Sequence, residues 1–220
     1  MKTNNSMITK KFFYDEKDKM IKMSVYSDIE AIPRFNTYYE YDDNGNMIHT
    51  INPEHKYEVR STYDERGNRI LDTITEDSEV FAIKYEYDDH DRLIKEIEEN
   101  EITEYVYSGD STNVTTVRCS FGEITHEYDQ YDNLTCVIDS RTGEKSYRNN
   151  EYDENNRLVR YTGDDSICEN EYDTNGNLTK KTISWFTDDG HIYIRRINTY
   201  KYDEKNRCTD EIIEMLRSSV

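Results

Sequence analysis

The chain has 220 residues, with 28 Lys and Arg against 47 Asp and Glu, which gives a formal net charge of −19 at pH 7. Nucleic acids and anionic membrane surfaces are polyanions that such a chain repels, so the charge argues against both as partners. The four cysteines stand far apart, outside any CxxC or Cys/His cluster, so we expect free thiols and no metal site.

Residues 1–11 contain neither an apolar run nor a cleavage signal, and no stretch of the chain approaches the roughly 18 apolar residues of a membrane span. We therefore expect no membrane insertion and a cytoplasmic location, with export by a route that needs no signal, or prior removal of a leader, as the alternatives. Residues 1–11 are predicted to be a flexible N-terminus. The repeat domain is predicted over residues 12–210, followed by a C-terminal cap or tail over residues 211–220.

A tyrosine-aspartate pair recurs along the chain at intervals of 20 to 30 residues, a spacing that disordered sequences have no reason to keep. The twenty tyrosines therefore indicate a folded protein with a thin, tyrosine-rich core. The pairs are Tyr14-Asp15, Tyr41-Asp42, Tyr63-Asp64, Tyr87-Asp88, Tyr128-Asp129, Tyr152-Asp153, Tyr172-Asp173 and Tyr202-Asp203, with a degenerate copy at Tyr107-Ser108.

Each pair is followed at fixed distances by residues that favour a turn. The fourth residue after the tyrosine is always Gly, Asn or Asp, which tolerate a left-handed backbone. We predict that the aspartate opens a type I turn, with its carboxylate accepting a hydrogen bond from the amide two residues on. The left-handed residue then forms a bulge, and the outgoing strand begins at a β-branched residue. The left-handed positions are Asp18, Gly45, Gly67, Asp91, Asp132, Asn156, Gly176 and Asn206.

The segments between the turns alternate aromatic and charged residues, as in Tyr39-Glu40-Tyr41, which is typical of strands with one buried face. The connections at the other end of the strands carry turn residues too, such as Asn52-Pro53-Glu54. The fold class is therefore predicted to be all-β, an antiparallel meander of about nine tandem β-hairpin repeats with roughly 16–18 strands. An open sheet rarely exceeds about ten strands, so we expect a curled or spiral sheet.

Trp185 and Phe186 lie in the longest interval between the turns, beside acidic residues. An aromatic pair on an extended hairpin is a candidate exposed contact site. The alternative is a cap over the end of the sheet, because a stack of repeats needs atypical end repeats.

No nucleophile elbow, zinc-protease, phosphate-binding or dinucleotide motif occurs, and the five histidines are scattered. The aspartates recur in eight equivalent turns, whereas a catalytic carboxylate needs one unusual environment. We therefore predict that the protein is not an enzyme and has no catalytic residue and no cofactor. Asp42-x-Asn44-x-Asn46 and Asp173-x-Asn175-x-Asn177 place oxygens as a calcium loop would, but both lack the distal glutamate of an EF-hand, so turn chemistry is the preferred interpretation.

The pattern Tyr-x-Tyr-Asp-x-x-Gly-Asn-Leu resembles the YD repeat of Rhs proteins, insecticidal toxin-complex shells and teneurins. Residues 39–47 and 170–178 are closest to it, and the resemblance extends from about Phe12 to Asp210. It implies a sheet that spirals into a hollow shell. The Asp-Pro-x-Gly motif that closes the toxin shells does not occur and the chain is far shorter than a full shell, so we expect a free-standing stack of repeats. The residues of the repeat with structural roles are Tyr41, Asp42, Gly45, Tyr63, Asp64, Gly67, Tyr87, Asp88, Tyr128, Asp129, Tyr152, Asp153, Tyr172, Asp173, Gly176, Tyr202 and Asp203.

Repeats without a catalytic motif favour a non-catalytic scaffold that binds a protein or a glycan, related to the repeats of Rhs-type toxin shells. The alternative is an immunity-type inhibitor, a small acidic protein that neutralises a basic toxin. A protein partner is expected under either hypothesis. Free strands at the two ends of a meander would also allow edge-to-edge self-association.

Overall fold

A computed structural model describes residues 6–27, 32–130, 132–187 and 190–217. Within these ranges every regular element is a β-strand and the paired strands are antiparallel, so the predicted all-β hairpin meander is confirmed. Nine hairpins close on the repeat turns, and the short β13 raises the number of described strands above the expected 16–18. The strands are β1 (Ser6–Tyr14), β2 (Met20–Ser27), β3 (Phe35–Tyr41), β4 (Met47–Asn52), β5 (Tyr57–Tyr63), β6 (Arg69–Glu76), β7 (Glu79–Tyr87), β8 (Leu93–Glu98), β9 (Glu101–Tyr107), β10 (Val114–Cys119), β11 (Gly122–Tyr128), β12 (Leu134–Asp139), β13 (Lys145–Tyr147), β14 (Asn149–Tyr152), β15 (Leu158–Thr162), β16 (Ser166–Tyr172), β17 (Leu178–Phe186), β18 (Ile192–Tyr202) and β19 (Cys208–Arg217).

The chain forms two compact units whose boundaries fall within β3 and β13. The terminal unit comprises Met1–Asn36 and Tyr147–Val220, and the central unit comprises Thr37–Ser146. The domain limits predicted at residues 12 and 210 coincide neither with these boundaries nor with the ends of a strand, because residue 12 lies within β1 and residue 210 within β19.

In the central unit each strand from β3 to β12 pairs with the strand that follows it. The register sets Ile74 opposite Phe81 on one side of the sheet and Thr73 opposite Ala82 on the other. Ile74 is buried, whereas Ala82 is exposed. Because side chains alternate along a strand, these pairs define a buried face and an open face of this unit.

In the terminal unit β14 to β19 pair in sequence, β19 also pairs with β1, and β1 pairs with β2. The first and last strands are therefore neighbours, with Ser6 opposite Met215 and Lys11 opposite Asp210. Within the segment 1–11 that the sequence predicts to be flexible, residues 8–11 pair with β19 on one side and with β2 on the other, and residues 6 and 7 pair with β19. In the part of the chain that the structure describes, β1 and β19 therefore each have a neighbour on both sides instead of the free edge that the sequence led us to expect at the chain ends. Self-association stays a prediction.

Few side chains of the described residues are completely buried, as expected for a thin core. The unexpected feature is that polar residues are buried about as often as apolar ones. Most tyrosines are only half-buried, so their rings pack while their hydroxyls reach hydrogen-bond partners. The described residues include no helix that is long and apolar enough to cross a membrane. The buried residues are Val25, Ile74, Tyr85, Cys136, Cys168 and Ile213 among the apolar ones, and Ser24, Thr37, Asn52, Asp72, Ser184, Asn198 and Glu211 among the polar ones.

Candidate functional site

The repeat turns have the geometry that the sequence predicts. At Asp64 the backbone amide donates to the carbonyl of Asn68 over 2.9 Å, and the amide of Gly67 donates to the carbonyl of Asp64 over 3.1 Å. The Asp64 carboxylate accepts bonds from the amides of Arg66 and Asn68 at 2.9 and 2.8 Å. Gly67 has a φ of 87°, at the position predicted for the bulge. The register of β5 and β6 shifts a second time between Thr62 and Tyr63, which leaves Ile70 without a directly opposite residue. All eight predicted left-handed positions have positive φ: Asp18, Gly45, Gly67, Asp91, Asp132, Asn156, Gly176 and Asn206.

The fifth residue after each tyrosine has a role that the sequence did not reveal. Where it is asparagine, its side-chain amide donates to the carboxylate of its own turn, as Asn46 does to Asp42 at 2.9 Å. Where it is arginine, the guanidinium bonds that carboxylate and lies over the tyrosine ring of the neighbouring hairpin in the sheet. Arg92 donates to Asp88 at 2.7 Å, and its guanidinium carbon lies 4.7 Å from the ring centre of Tyr107. Arg157 with Tyr172 and Arg207 with Tyr14 repeat the arrangement at 4.8 Å.

Seven of the repeat tyrosines join their hairpin to a neighbouring hairpin of the same unit through their hydroxyls. Tyr63 donates to the carbonyl of Met47 at 2.8 Å, and Met47 is the residue at which the preceding hairpin resumes its strand. Burial raises the pKa of Tyr128, so this hydroxyl stays a neutral donor. The other bonds of this kind are Tyr14 to Cys208, Tyr87 to Arg69, Tyr107 to Leu93, Tyr128 to Val114, Tyr172 to Leu158 and Tyr202 to Leu178, all of 2.7–2.9 Å.

Hydrogen bonds hold several of the turn carboxylates in the ionised form. The amide and side chain of Arg92 lower the pKa of Asp88 to about 2. The side-chain amide of Asn46 lowers the pKa of Asp42, and that of Asn177 lowers the pKa of Asp173. A carboxylate held in this way is a poor general acid or base near neutral pH. The geometry therefore assigns the aspartates to turn stabilisation.

Adjacent turns within each unit also contact one another. Asn68 donates to the carboxylate of Asp91 at 2.8 Å, and Arg66 makes an ion pair with the same carboxylate at 2.8 Å. At the degenerate copy Arg92 donates to the carbonyls of Gly109 and Ser111 in place of an aspartate-based contact. In the terminal unit Asn177 bonds Asn206, and Lys205 and Arg207 reach Asp18. The turns thus form connected rows, which the sequence pattern alone did not predict.

Two buried polar clusters support the strands behind the turns. In the central unit the buried carboxylate of Asp72 accepts bonds from Ser61 at 2.7 Å and from Tyr85 at 2.9 Å, and burial raises the pKa of Tyr85. In the terminal unit Glu211 bonds Asn198 at 2.6 Å and Lys10 at 2.8 Å. Burial alone would raise the pKa of Glu211, but these hydrogen bonds and the Lys10 charge outweigh it and lower the pKa.

Trp185 and Phe186 lie at the end of β17, and both side chains are half-buried. β17 pairs with β16 and with β18, so the two aromatic residues do not lie on an edge strand, and their interpretation as a cap over the end of the sheet stays a prediction. Phe186 lines an open hollow of about 530 Å³, together with Ile167 and the two exposed residues Asp164 and Asp165. Of the two candidate residues, Phe186 therefore lies at a concave, partly acidic surface, and the role of the pair as a contact site stays a prediction.

Among the residues described, no three His, Cys, Asp or Glu side chains come together in a group that could hold a metal ion. The Asp42 turn directs its carboxylate to backbone amides and to Asn46, so the oxygens proposed for calcium already have hydrogen-bond donors. This arrangement agrees with the preference for turn chemistry at these loops.

No family model matches the chain, and no curated protein matches it. A crystal structure of TcdB2-TccC3 is similar to it with a TM-score of 0.45 and 16% identity, covering 89% of this chain and 12% of that chain. A structure of the Photorhabdus luminescens Tc holotoxin pore gives 0.49 and 11%, covering 92% and 14%. A porin-like protein from Bacteroides uniformis gives 0.39 and 12%, covering 97% and 96%. This chain spans only a small part of the toxin-component chains, and likeness at this level carries no argument about function.

Proposed function

We propose that this protein is a non-catalytic repeat scaffold that presents a sheet surface to a protein partner. The observation that carries the proposal is that the hydroxyl and carboxylate groups of the repeat are engaged in hydrogen bonds within the fold. In the described turns, tyrosine hydroxyls donate to backbone carbonyls, and aspartate carboxylates accept from backbone amides and from the arginine or asparagine at the fifth position. Groups engaged in this way stabilise a surface and are unsuited to act as nucleophiles or bases. The repeat pattern relates this scaffold to the repeats of Rhs-type toxin shells.

The exposed surface offers contact area at the end of the central unit remote from the repeat turns. Val80 and Phe121, at two hairpin tips, are 65% and 64% exposed. These exposed apolar side chains are available to a partner at the two tips. A protein partner fits better than a glycan at these tips, because both exposed side chains are apolar and a glycan needs converging polar groups as well.

The test is affinity capture from a native cell lysate with the purified chain as bait, at low and at raised salt. An unrelated acidic β-sheet protein of similar net charge serves as control bait. We expect a protein partner that is retained at raised salt and that the control bait does not retain. Capture of the same proteins by both baits, or of none by a folded bait, contradicts the proposal.

The alternative function, an immunity-type inhibitor of a basic toxin, is favoured by the net charge of −19 on a chain of 220 residues. Such an inhibitor binds through long-range attraction, so raised salt weakens the complex steeply. Co-expression with a toxin encoded beside this gene is the direct test. Rescue of growth together with salt-sensitive binding supports the inhibitor, whereas a salt-resistant partner without rescue supports the scaffold.

A further inference from the structure

The two Asn-Gly sequences of the chain, Asn44-Gly45 and Asn175-Gly176, lie in equivalent repeat turns. In each turn the asparagine is exposed, and the glycine that follows it has a φ of 86° or 88°. Asparagine before glycine is the dipeptide most prone to deamidation, because glycine has no side chain to shield its amide nitrogen. Both turns therefore contain the same reactive dipeptide, and the folded structure decides how fast each one reacts.

Deamidation at such a dipeptide is an intramolecular acyl transfer followed by hydrolysis. The glycine amide nitrogen attacks the side-chain carbonyl carbon of the asparagine and loses its proton, and the carbon–nitrogen bond of the side-chain amide breaks to release ammonia. Water then opens the resulting succinimide ring at either of its carbonyls. Opening at one carbonyl yields aspartate, whereas opening at the other yields isoaspartate, whose main chain is longer by one methylene.

The backbone of the turn opposes this reaction equally at the two sites. The amide of Gly45 donates to the carbonyl of Asp42 at 3.0 Å. The amide of Gly176 donates to the carbonyl of Asp173 at 3.1 Å. A nitrogen held in this bond attacks only after the hairpin opens locally. The backbone alone therefore predicts slow deamidation at similar rates in the two turns.

The asparagine side chains differ in their hydrogen bonds. The side-chain amide of Asn175 donates to the side-chain oxygen of Asn206, in the adjacent turn of the same unit, at 3.2 Å. Asn177 donates to the same oxygen at 3.1 Å, so two amides hold this acceptor in place. Asn44, in contrast, has no hydrogen-bond partner among the residues that the structure describes. Asn175 must therefore give up a bond between turns before it reacts, whereas Asn44 is free to rotate toward the attacking nitrogen.

We propose that Asn44 is a site of spontaneous deamidation in the folded protein and that Asn206 protects Asn175 from the same reaction. The product at Asn44 adds one carboxylate to a turn that already holds that of Asp42. In the isoaspartate form the extra methylene lies between Asp42 and the two amides that donate to it at 3.0 and 2.8 Å. The modification therefore weakens the hairpin of β3 and β4, whereas the equivalent hairpin of β16 and β17 keeps its turn.

The experiment incubates the purified full chain at mildly alkaline pH, in buffer and in denaturing urea, and follows both Asn-Gly peptides by mass spectrometry. The ratio of the rate in urea to the rate in buffer, the protection ratio, measures what the fold contributes at each site, independently of the flanking sequence. Enzymatic methylation of isoaspartate identifies the product. Asn206→Gly removes the acceptor of Asn175 at a position with a φ of 60°, which glycine adopts readily. Asn206→Asp is the matched control, because it keeps an acceptor oxygen.

We expect the protection ratio of Asn175 to exceed that of Asn44 by about threefold, which corresponds to one weak neutral hydrogen bond. Asn206→Gly should lower the ratio of Asn175 to that of Asn44 and leave Asn44 unchanged, and Asn206→Asp should retain the protection. Equal ratios in the wild type, or a ratio of Asn175 that Asn206→Gly does not change, would overturn the proposal. A folded wild type in which Asn44 does not deamidate would overturn it as well.

The rate at Asn44 also separates a lost hydrogen bond from an unfolded variant. If Asn206→Gly unfolds the chain, the rates at Asn44 and Asn175 both rise toward those in urea, and the comparison of the two wild-type ratios then decides the proposal. Wild-type protein modified at Asn44 can be separated by anion exchange through its extra charge. It should melt at a lower temperature than the unmodified protein, and an equal melting temperature would contradict the expected loss of turn stability.

Discussion

Replacement of Tyr63 by phenylalanine isolates what one tyrosine hydroxyl contributes to the stacking of hairpins. The ring keeps its size, whereas the 2.8 Å hydrogen bond from the hydroxyl to the carbonyl of Met47 is lost. A neutral hydrogen bond contributes about 0.5–1.5 kcal/mol to stability, and loss of the donor also leaves the part-buried carbonyl of Met47 without this partner. We therefore expect Tyr63→Phe to lower the free energy of unfolding by about 1 kcal/mol.

Urea unfolding followed by circular dichroism measures this change, and a thermal melt should show a shift of about 2–4 °C for a chain of this size. Tyr147→Phe is the control, because Tyr147 is 59% exposed, and its stability should match the wild type. Tyr63 on β5 and Tyr107 on β9 lie four strands apart in the same unit, roughly 19 Å at the usual strand spacing. Their effects should therefore add to about 2 kcal/mol in the double variant. If Tyr63→Phe costs no more than Tyr147→Phe, the hydroxyl-to-carbonyl bonds do not stabilise the array.

Three further predictions concern pH and the pairing of the terminal strands. The pKa of Asp88 is lowered to about 2, so the contribution of its carboxylate to stability is present above about pH 4 and is lost as the pH falls toward 2. In urea unfolding, the free energy of unfolding of Asp88→Asn should therefore decrease less between neutral and acidic pH than that of the wild type. Burial and the Glu96 carboxylate raise the pKa of Tyr105 to about 12, so the contribution of its neutral hydroxyl to stability is present below about pH 10 and is lost as the pH rises toward 12. In thermal melts at alkaline pH, the melting temperature of Tyr105→Phe should therefore fall less steeply with pH than that of the wild type. Lys10→Met leaves the buried Glu211 without its cation and should cost about 2 kcal/mol in urea unfolding, less than for a fully buried pair because Lys10 is 31% exposed. The double variant Lys10→Met with Glu211→Gln should regain part of that loss, and a single variant as stable as the wild type would contradict the role of this ion pair.

The turns could be predicted from the sequence because their chemistry is local. Asp64 meets its backbone donors within four residues, and Gly67 is needed where the φ angle is 87°. Only a few residue types satisfy both requirements, so each copy of the repeat shows the pattern again. The alternation of Tyr85 and Glu86 likewise indicates the buried face and the exposed face of a single strand. These features need no knowledge of which strands are neighbours.

The remaining features depend on partners that are distant in the chain. Arg92 is recognisable as a polar residue, but its place over Tyr107 depends on how the next hairpin packs. The contact of Lys10 with Glu211 depends on pairing of the first and last strands, which no local pattern reports. We expected free strands at the two chain ends because we treated the meander as a sheet whose first and last strands do not meet. The charges of Lys10 and Lys11 do complement those of Glu211 and Asp210, which lie opposite them. The sequence contains many lysines and carboxylates, however, so complementary charge alone did not indicate that these positions pair.

The net charge of −19 is compensated locally to different degrees along the chain. Carboxylates in the repeat turns, such as Asp64 and Asp88, accept bonds from amides or guanidinium groups that offset their charge locally. Carboxylates in the strands of the open face, such as Glu104, lie opposite lysine or arginine. Among the described residues, Glu76 facing Glu79 and Glu98 facing Glu101 at the tips of β6 to β9 have neither arrangement.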